Sequence, residues 1–317
     1  MIPDSHPITP APAIDVLCVG HASYDLVFAV PRHPEADEKI FADNLIARGG
    51  GPAANAAVTV ARMGYRAAFA GYLGDDPHGE LHRAELLRDG VDTRLVVRGP
   101  SPTPLSAVLV KPDGRRALVN YKGDTRPLPA DAIDFSGVHP KVILFDGHEP
   151  NLSEPLISRG IPGVLDAGSL HPGTEALMFA VDYLVCSEKF ARQWLGEDAP
   201  ERALAGLAER SPAVVVTLGE RGLIWRKGGE SGAMPAFPVE VVDTTGAGDA
   251  FHGAFAAALA AGLDWPDILR LASAAGALCC EVLGARPGIP DRKRLEGFLD
   301  TLSNTSLAAC PLPGAKG

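Results

Sequence analysis

Cysteine is scarce in this chain of 317 residues. There are five, Cys18, Cys186, Cys279, Cys280 and Cys310, scattered and without a C-x-x-C pair. That argues against a disulfide framework or a cysteine metal site and for buried thiols in a reducing compartment. A block of basic residues is also missing, and 29 basic against 39 acidic side chains leave a net charge of −10. This argues against a nucleic-acid partner, though not against a phosphate held locally by backbone N–H groups. No apolar run reaches the ~18 residues of a membrane span. Residues 1–12 are Pro-rich and lack the basic-then-apolar pattern of a signal peptide. Cytoplasm, with no membrane contact, is the default these absences leave. Neither a Walker G-x-x-x-x-G-K-[ST] loop nor the Rossmann G-x-G-x-x-G spacing occurs. The second absence argues against a nicotinamide-dependent oxidoreductase. Of nine histidines, none pairs at metal spacing with a second ligand cluster.

What is present is an ordinary globular composition, 46% hydrophobic and 21% charged, in a chain long enough for a sizeable core. Short apolar runs at 14–20, 66–72, 142–145, 163–166, 183–186 and 213–217 suit buried parallel strands. Helical stretches intervene at 53–63 and 78–88, and alanine-rich ones follow at 250–262 and 267–280. The pattern is α/β. Segments 26–30, 39–47, 108–110 and 117–121 are extra strands outside that alternation, the last two a hairpin around Pro112-Asp113-Gly114. A run at 237–242 also looks β-rich, and 284–290, with its Pro and Gly, reads as a loop.

The chain is organised around residues 243–262, Asp-Thr-Thr-Gly-Ala-Gly-Asp-Ala-Phe-His-Gly-Ala-Phe and the alanines after it. Gly246, Ala247 and Gly248 form a small-residue turn opening a helix. Its N–H groups converge and the helix dipole adds partial positive charge, which makes an anion hole. Asp249 stands at the mouth, where a carboxylate opposes anion binding unless it has a chemical role. The role that fits is general base, taking the proton of a hydroxyl that attacks a phosphoryl group held by Ala247 and Gly248. Asp25, just past the first strand, lies on the rim where α/β sheets place ligands. Arg48-Gly49-Gly50-Gly51-Pro52-Ala53-Ala54-Asn55 opens the next helix, with glycines that admit a ligand close to the backbone and an Asn that both donates and accepts.

The 243–255 motif, together with a glycine-rich motif near the N-terminus, resembles the two signatures of the ribokinase (PfkB) family of sugar and nucleoside kinases. The likeness runs from about residue 14 to 300. It implies a ribokinase-like three-layer α/β/α core over 13–302, with a small β-sheet lid from strands at about 26–47 and 105–122 and flexible tails at 1–12 and 303–317. It also implies an ATP- and Mg²⁺-dependent kinase acting on a hydroxyl of a small sugar, and often a homodimer through the lid. A nucleoside kinase of the same family, or a non-catalytic sugar or nucleotide sensor on this fold, are the alternatives. The rim offers no evident aromatic stacking pair beyond Tyr24 and Tyr121.

Carried over residue by residue, the resemblance places Asp25, Gly49, Gly50 and Asn55 against the sugar. Thr217, Gly219 and Gly222 fall in the nucleotide-phosphate loop, and Gly246 and Gly248 in the anion hole. Ala275 and Gly276 leave room for a flat base or for a neighbouring helix. Ser187-Glu188-Lys189-Phe190 departs from the family's Asn-x-x-Glu, so Ser187 stands for the Asn and Glu188 is the remaining acid for magnesium. Asp243 and Thr245 are where potassium-activated members hold a monovalent cation. Within the family the chain looks most similar to the sulfofructose-kinase-like branch, through Gly-Gly-Gly-Pro-Ala-Ala and the Val-Asn-Tyr end of the hairpin. Lys39 and Asn120 match two of that branch's sulfonate-binding residues, while His148 falls where an Arg belongs and is a poor replacement for it. Lys122 or Arg126 would have to compensate.

Overall fold

The computed structural model describes residues 13–303. The tails expected at 1–12 and from 303 therefore lie outside the described residues, apart from Ser303, which closes the last helix.

The chain begins with β1 (Ile14–Val19), β2 (Ser23–Ala29) and β3 (Asn44–Gly50), then α1 (Pro52–Arg62), β4 (Ala67–Gly74), α2 (Pro77–Arg88) and β5 (Val96–Gly99). The hairpin β6 (Leu105–Val110) and β7 (Arg116–Tyr121) follows. Next come β8 (Pro140–Phe145), α3 (Pro150–Ile157), β9 (Gly163–Ala167), α4 (Pro172–Leu177), β10 (Tyr183–Ser187), α5 (Glu188–Leu195), α6 (Pro200–Ala208) and β11 (Ala213–Thr217). An antiparallel edge, β12 (Leu223–Lys227) and β13 (Glu230–Met234), precedes α7 (Ala247–Ala260), α8 (Trp265–Cys279), α9 (Ala285–Gly288) and α10 (Arg292–Ser303).

Nine strands form the main sheet in the order β13-β12-β11-β10-β9-β8-β1-β4-β5, parallel except at the β12–β13 edge. Side chains alternate across it as strand geometry requires. Val16 and Cys18 of β1 join one core cluster with α1, α7 and α8, whereas Leu17 and Val19 join a second with α3 to α6. Two cores on opposite faces of one sheet make the three-layer α/β/α architecture that the family resemblance implies. The strands expected to form the lid make a separate sheet ordered β3-β2-β6-β7, and three residues separate β2 from the end of β1. Among the described residues no helix is long and apolar enough to cross a membrane, and the four described cysteines are free thiols.

Three local expectations need correction. The strand expected at 39–47 instead spans Asn44–Gly50, leaving Lys39 in the preceding loop and Gly49 and Gly50 inside the sheet. Pro31 and Pro34 withhold ladder donors in that loop, and Asp37 takes a left-handed turn at φ 59°. The run at 237–242 is not a strand; Pro235 and Pro238 interrupt its donors, and the N–H groups of Val242 and Asp243 go instead to the carbonyl of Cys280. The loop at 284–290 contains the one-turn helix α9.

Candidate active site

The site forms where α1 and α7 begin, and a close helix crossing makes it possible. A Cβ on Gly253 would lie 2.6 Å from the carbonyl oxygen of Ala56 and 2.7 Å from Cβ of Thr59. Gly253 sits one turn beyond Asp249, and Thr59 one turn beyond Asn55, so the same approach brings those two polar residues together. Asn55 Nδ2 donates to Asp249 Oδ2 at 2.7 Å. Asp249 is half-buried. Burial raises its carboxyl above the ordinary aspartate range, opposed by the Asn55 hydrogen bond and then by His252 and Arg116.

At the start of α7, Gly246 has φ 80° and a Cβ there would meet Cβ of Ala285 at 2.4 Å, so its bareness serves the docking of α9. Gly248 is different. Nothing lies within 4 Å of where its Cβ would be, and the residue is exposed. The chain therefore leaves the Gly248 position uncovered beside Asp249, while the Ala247 N–H turns back to Thr244 O at 3.3 Å. Four residues on, His252 is wedged between two carbonyls, Nδ1 2.6 Å from Gly248 O and Nε2 3.0 Å from Val185 O. Its Nδ1 is 3.4 Å from Asp166 Oδ2.

Asp25, on β2, is buried and held by the hydroxyl of Ser23 at 2.7 Å. Burial pushes its carboxyl up, against hydrogen bonds from Ser23 and Ser106, and the field of Asp249 adds to the rise. The glycine-rich turn suggests room for a ligand, but the chain itself fills much of that room. A Cβ on Gly50 would come within 1.9 Å of Asp25 Oδ2, and one on Gly49 within 2.5 Å of the His82 ring. Both glycines are thus needed to seat side chains beneath the strand. Asp146, at the end of β8, accepts from the N–H groups of His21 at 2.7 Å, Ala53 at 3.2 Å and His148 at 2.8 Å. It ties the first turn of α1 to the rim, with Gly20 bare where a Cβ would strike the carboxylate at 2.0 Å.

The structure thus gathers Asp25, Gly49, Gly50, Asn55, Gly248 and Asp249 in one place. Lys39 and Asn120 stay in the lid, both exposed, and neither forms a hydrogen bond to that cluster. His148 lines a neighbouring rim cavity of ≈ 250 Å³ with His21, Lys122, Arg126, Glu149 and His171. Its ring stacks on His171 at a centroid distance of 4.8 Å. Burial drives the His21 and His171 imidazoles below their usual range, helped by His148. Glu149 accepts from Leu128 N–H at 2.6 Å, yet its carboxyl is pushed up to about 7 by burial.

The residues expected at the nucleotide divide into open and packed. Gly219 opens a 3₁₀ turn with φ 60° and nothing near its Cβ position, whereas Gly222 is bare because a Cβ would lie 2.0 Å from Met234 O. Thr217 Oγ1 donates to Cys186 O at 3.4 Å. Ser187 caps α5, accepting from Phe190 N–H at 3.0 Å and donating to Gly168 O at 2.8 Å. Glu188 pairs with Arg221 of the 3₁₀ turn, tying α5 to that loop. Ala275 is fully buried, and a Cβ on Gly276 would lie 3.1 Å from Ala247 O. Of the two uses open to Ala275 and Gly276, close packing of α8 on α7 is the one in view. Asp243 accepts from Thr245 N–H and Oγ1 and from Gly284 N–H at 2.7–2.8 Å. With three donors already on it, Asp243 acts as a clamp on the anion loop. Arg116 of the lid reaches across to Thr244.

Sequence reasoning gives no role to two residues that the structure places at this site. Asp166 Oδ2 is a buried carboxylate oxygen with no hydrogen-bond partner. Arg286, within a segment that reads as a loop, is 2% exposed and donates to Asn55 Oδ1 at 2.9 Å. An Arg between an alanine and a proline carries no sequence signal of burial.

The site thus sets a carboxylate at a glycine-rich helix start on a doubly covered, mostly parallel sheet. The pfkB family carbohydrate kinase model matches residues 13–292, and the chain belongs to that family of ATP-dependent carbohydrate kinases. Ribokinase of Bacillus subtilis is 31% identical over 293 residues, which cover 90% of this chain and 99% of that protein. The solved ribokinase of Thermotoga maritima superposes with a TM-score of 0.80 at 28% identity, covering 90% of this chain and 99% of that one. That of Arabidopsis thaliana, complexed with ribose and ATP, gives 0.78 at 29% identity, covering 91% and 99%.

Proposed function

We propose that this kinase transfers the γ-phosphoryl group of ATP to a hydroxyl of a small sugar (a ketose, sulfosugar or pentose), with Asp249 as general base. The observation that carries the reading is Asp249 beside the uncovered helix start at Gly248, fixed by Asn55 and within the field of Asp25. Asp25 and Asn55 hold the acceptor hydroxyls, and Asp249 takes the proton as the oxygen attacks. The Gly248 N–H and the positive end of α7 stabilise the charge that develops on the transferred group, the Ala247 N–H being held by Thr244 O. Among the described residues no three His, Cys, Asp or Glu side chains form a ready-made metal cage. Mg²⁺ needs none, because it retains waters and binds through one or two carboxylates and the phosphates themselves. The unpartnered Asp166 oxygen fits that need better than Glu188, whose carboxylate is engaged by Arg221. Bound Mg²⁺ would supply charge neutralisation of the phosphates.

A homodimer through the lid belongs to the same reading. Phe41 is 91% exposed, Val119 71% and Tyr121 56%, and all lie in or beside the lid sheet. A second copy would cover them.

The test is coupled ADP release with ATP and Mg²⁺ over ribose, fructose, fructose 6-phosphate, 6-deoxy-6-sulfofructose, 2-keto-3-deoxygluconate and adenosine. Turnover on a sugar, lost in Asp249→Asn while acceptor binding persists, supports the proposal. Silence across the panel with ATP still bound favours a sensor, and preference for adenosine favours a nucleoside kinase.

A further inference from the structure

Among the described residues, the one buried guanidinium that touches the site belongs to Arg286 on α9. Its Nε donates to Asn55 Oδ1 at 2.9 Å and its Nη2 to His82 Nε2 at 2.7 Å. Its Nη1 lies 3.7 Å from Glu85 Oε2 without a hydrogen bond, and that same oxygen accepts from Gly49 N–H at 3.0 Å. Burial lowers the guanidinium to about 10, so it remains charged at neutral pH.

A guanidinium can only donate and a carboxylate can only accept, whereas a side-chain amide does both. Asn55 stands between the two. With its oxygen toward Arg286 and its NH₂ toward Asp249, both contacts are satisfied. With the amide flipped, donor would face donor and acceptor would face acceptor. Arg286 therefore selects the single orientation in which Asn55 donates to Asp249. A buried charge kept only for packing is a poor stabiliser, because an apolar side chain of like volume does as well or better. An unbonded Nη1 makes that explanation weaker still.

We infer that Arg286 is a positioning residue for phosphoryl transfer, fixing Asn55 and through it the carboxylate of Asp249. The same guanidinium lies beside Glu85, whose carboxylate accepts from Gly49 N–H, so its charge also faces the anchor of the glycine turn. The inference rests on Asp249 being the base.

The test is steady-state kinetics on the full-length kinase, with the acceptor the wild type turns over, for Asp249→Asn, Arg286→Gln, Arg286→Lys, Asn55→Ala and the Asn55→Ala/Arg286→Gln pair. Arg286→Gln should lower kcat by roughly 10- to 100-fold, the scale of a misplaced catalytic group, and raise acceptor KM by a smaller factor, since Asn55 also holds the acceptor. Arg286→Lys keeps the charge and a donor and should recover part of that loss. The double variant should be no slower than Asn55→Ala alone, since coupled residues are not additive. A merely structural arginine would lower the melting temperature and leave kcat per folded molecule unchanged. Should Arg286→Gln fail to fold, Arg286→Lys carries the test. Wild-type kcat in a folded Arg286 variant, or additive losses in the double variant, overturns the inference while Asp249→Asn remains inactive. If Asp249→Asn retains turnover, the base assignment falls, and this inference with it.

Discussion

Glu149 should make the stability of this protein depend on pH in a way one substitution removes. The residue is buried at the rim, 6% exposed, and its carboxyl is raised from 4.5 to about 7, first by burial and next by the field of Asp146, against the Leu128 hydrogen bond and Lys122. Because the folded value lies above the unfolded one, the folded state favours the protonated acid. Its contribution is fully present below about pH 4.5 and is lost as pH rises toward and through 7, where the folded protein must ionise a buried group. Each tenfold difference in proton affinity between the two states is worth ~1.4 kcal/mol, so the loss amounts to about 3 kcal/mol at pH 8. Glu149→Gln is neutral throughout and keeps an oxygen for Leu128 N–H. Its melting temperature should match wild type near pH 4.5 and exceed it by roughly 5 °C at pH 8, given about 1.5 °C per kcal/mol for a chain of this size. Scanning calorimetry on both proteins from about pH 4.5 to 8.5 cancels the other titrating groups, since they are shared. A difference that stays flat over that range would refute the reasoning.

Three further outcomes follow from single contacts. Gly50→Ala places a Cβ on the carboxylate of Asp25 and should raise acceptor KM about tenfold or more, the loss of a charged hydrogen bond, with ATP KM little changed; equal KM values would remove Asp25 from the acceptor site. Asp146→Asn sets an NH₂ against at least one of the N–H groups of His21, Ala53 and His148. It should destabilise the protein by about 1–3 kcal/mol, and an unchanged denaturant midpoint would mean the rim does not depend on that carboxylate. Val119→Lys charges the exposed lid face and should give a monomer by light scattering; a wild-type protein that is itself monomeric would show that the lid is no interface.

Much of this fold is legible in the residues. Each central strand is a short apolar run because both faces of a parallel sheet are covered, and the Asp-Thr-Thr-Gly-Ala-Gly-Asp motif marks a helix start through its own small residues. Asp25, Gly49, Gly50, Asn55 and Asp249 stand out in the same way, and they do lie together. Edges and loops are harder to read. The segment 237–242 has strand-like side chains, but where its N–H groups go is settled by Cys280, 38 residues beyond Val242. Glycine is ambiguous throughout, since bareness looks the same whether it admits a ligand, as the open surroundings of Gly248 allow, or another part of the chain, as at Gly50 and Gly222.

By itself, then, the sequence determined the α/β class, the glycine-rich helix start and the identity of the carboxylate placed there, because backbone hydrogen bonding and side-chain periodicity act over a few residues. Only the tertiary structure decided that Arg286 stands behind Asn55, 231 positions away, that Asp146 holds the rim, and that Glu149 and Asp166 are buried carboxyls. Burial and electrostatic fields depend on which distant segments meet, and nothing local in the chain records that.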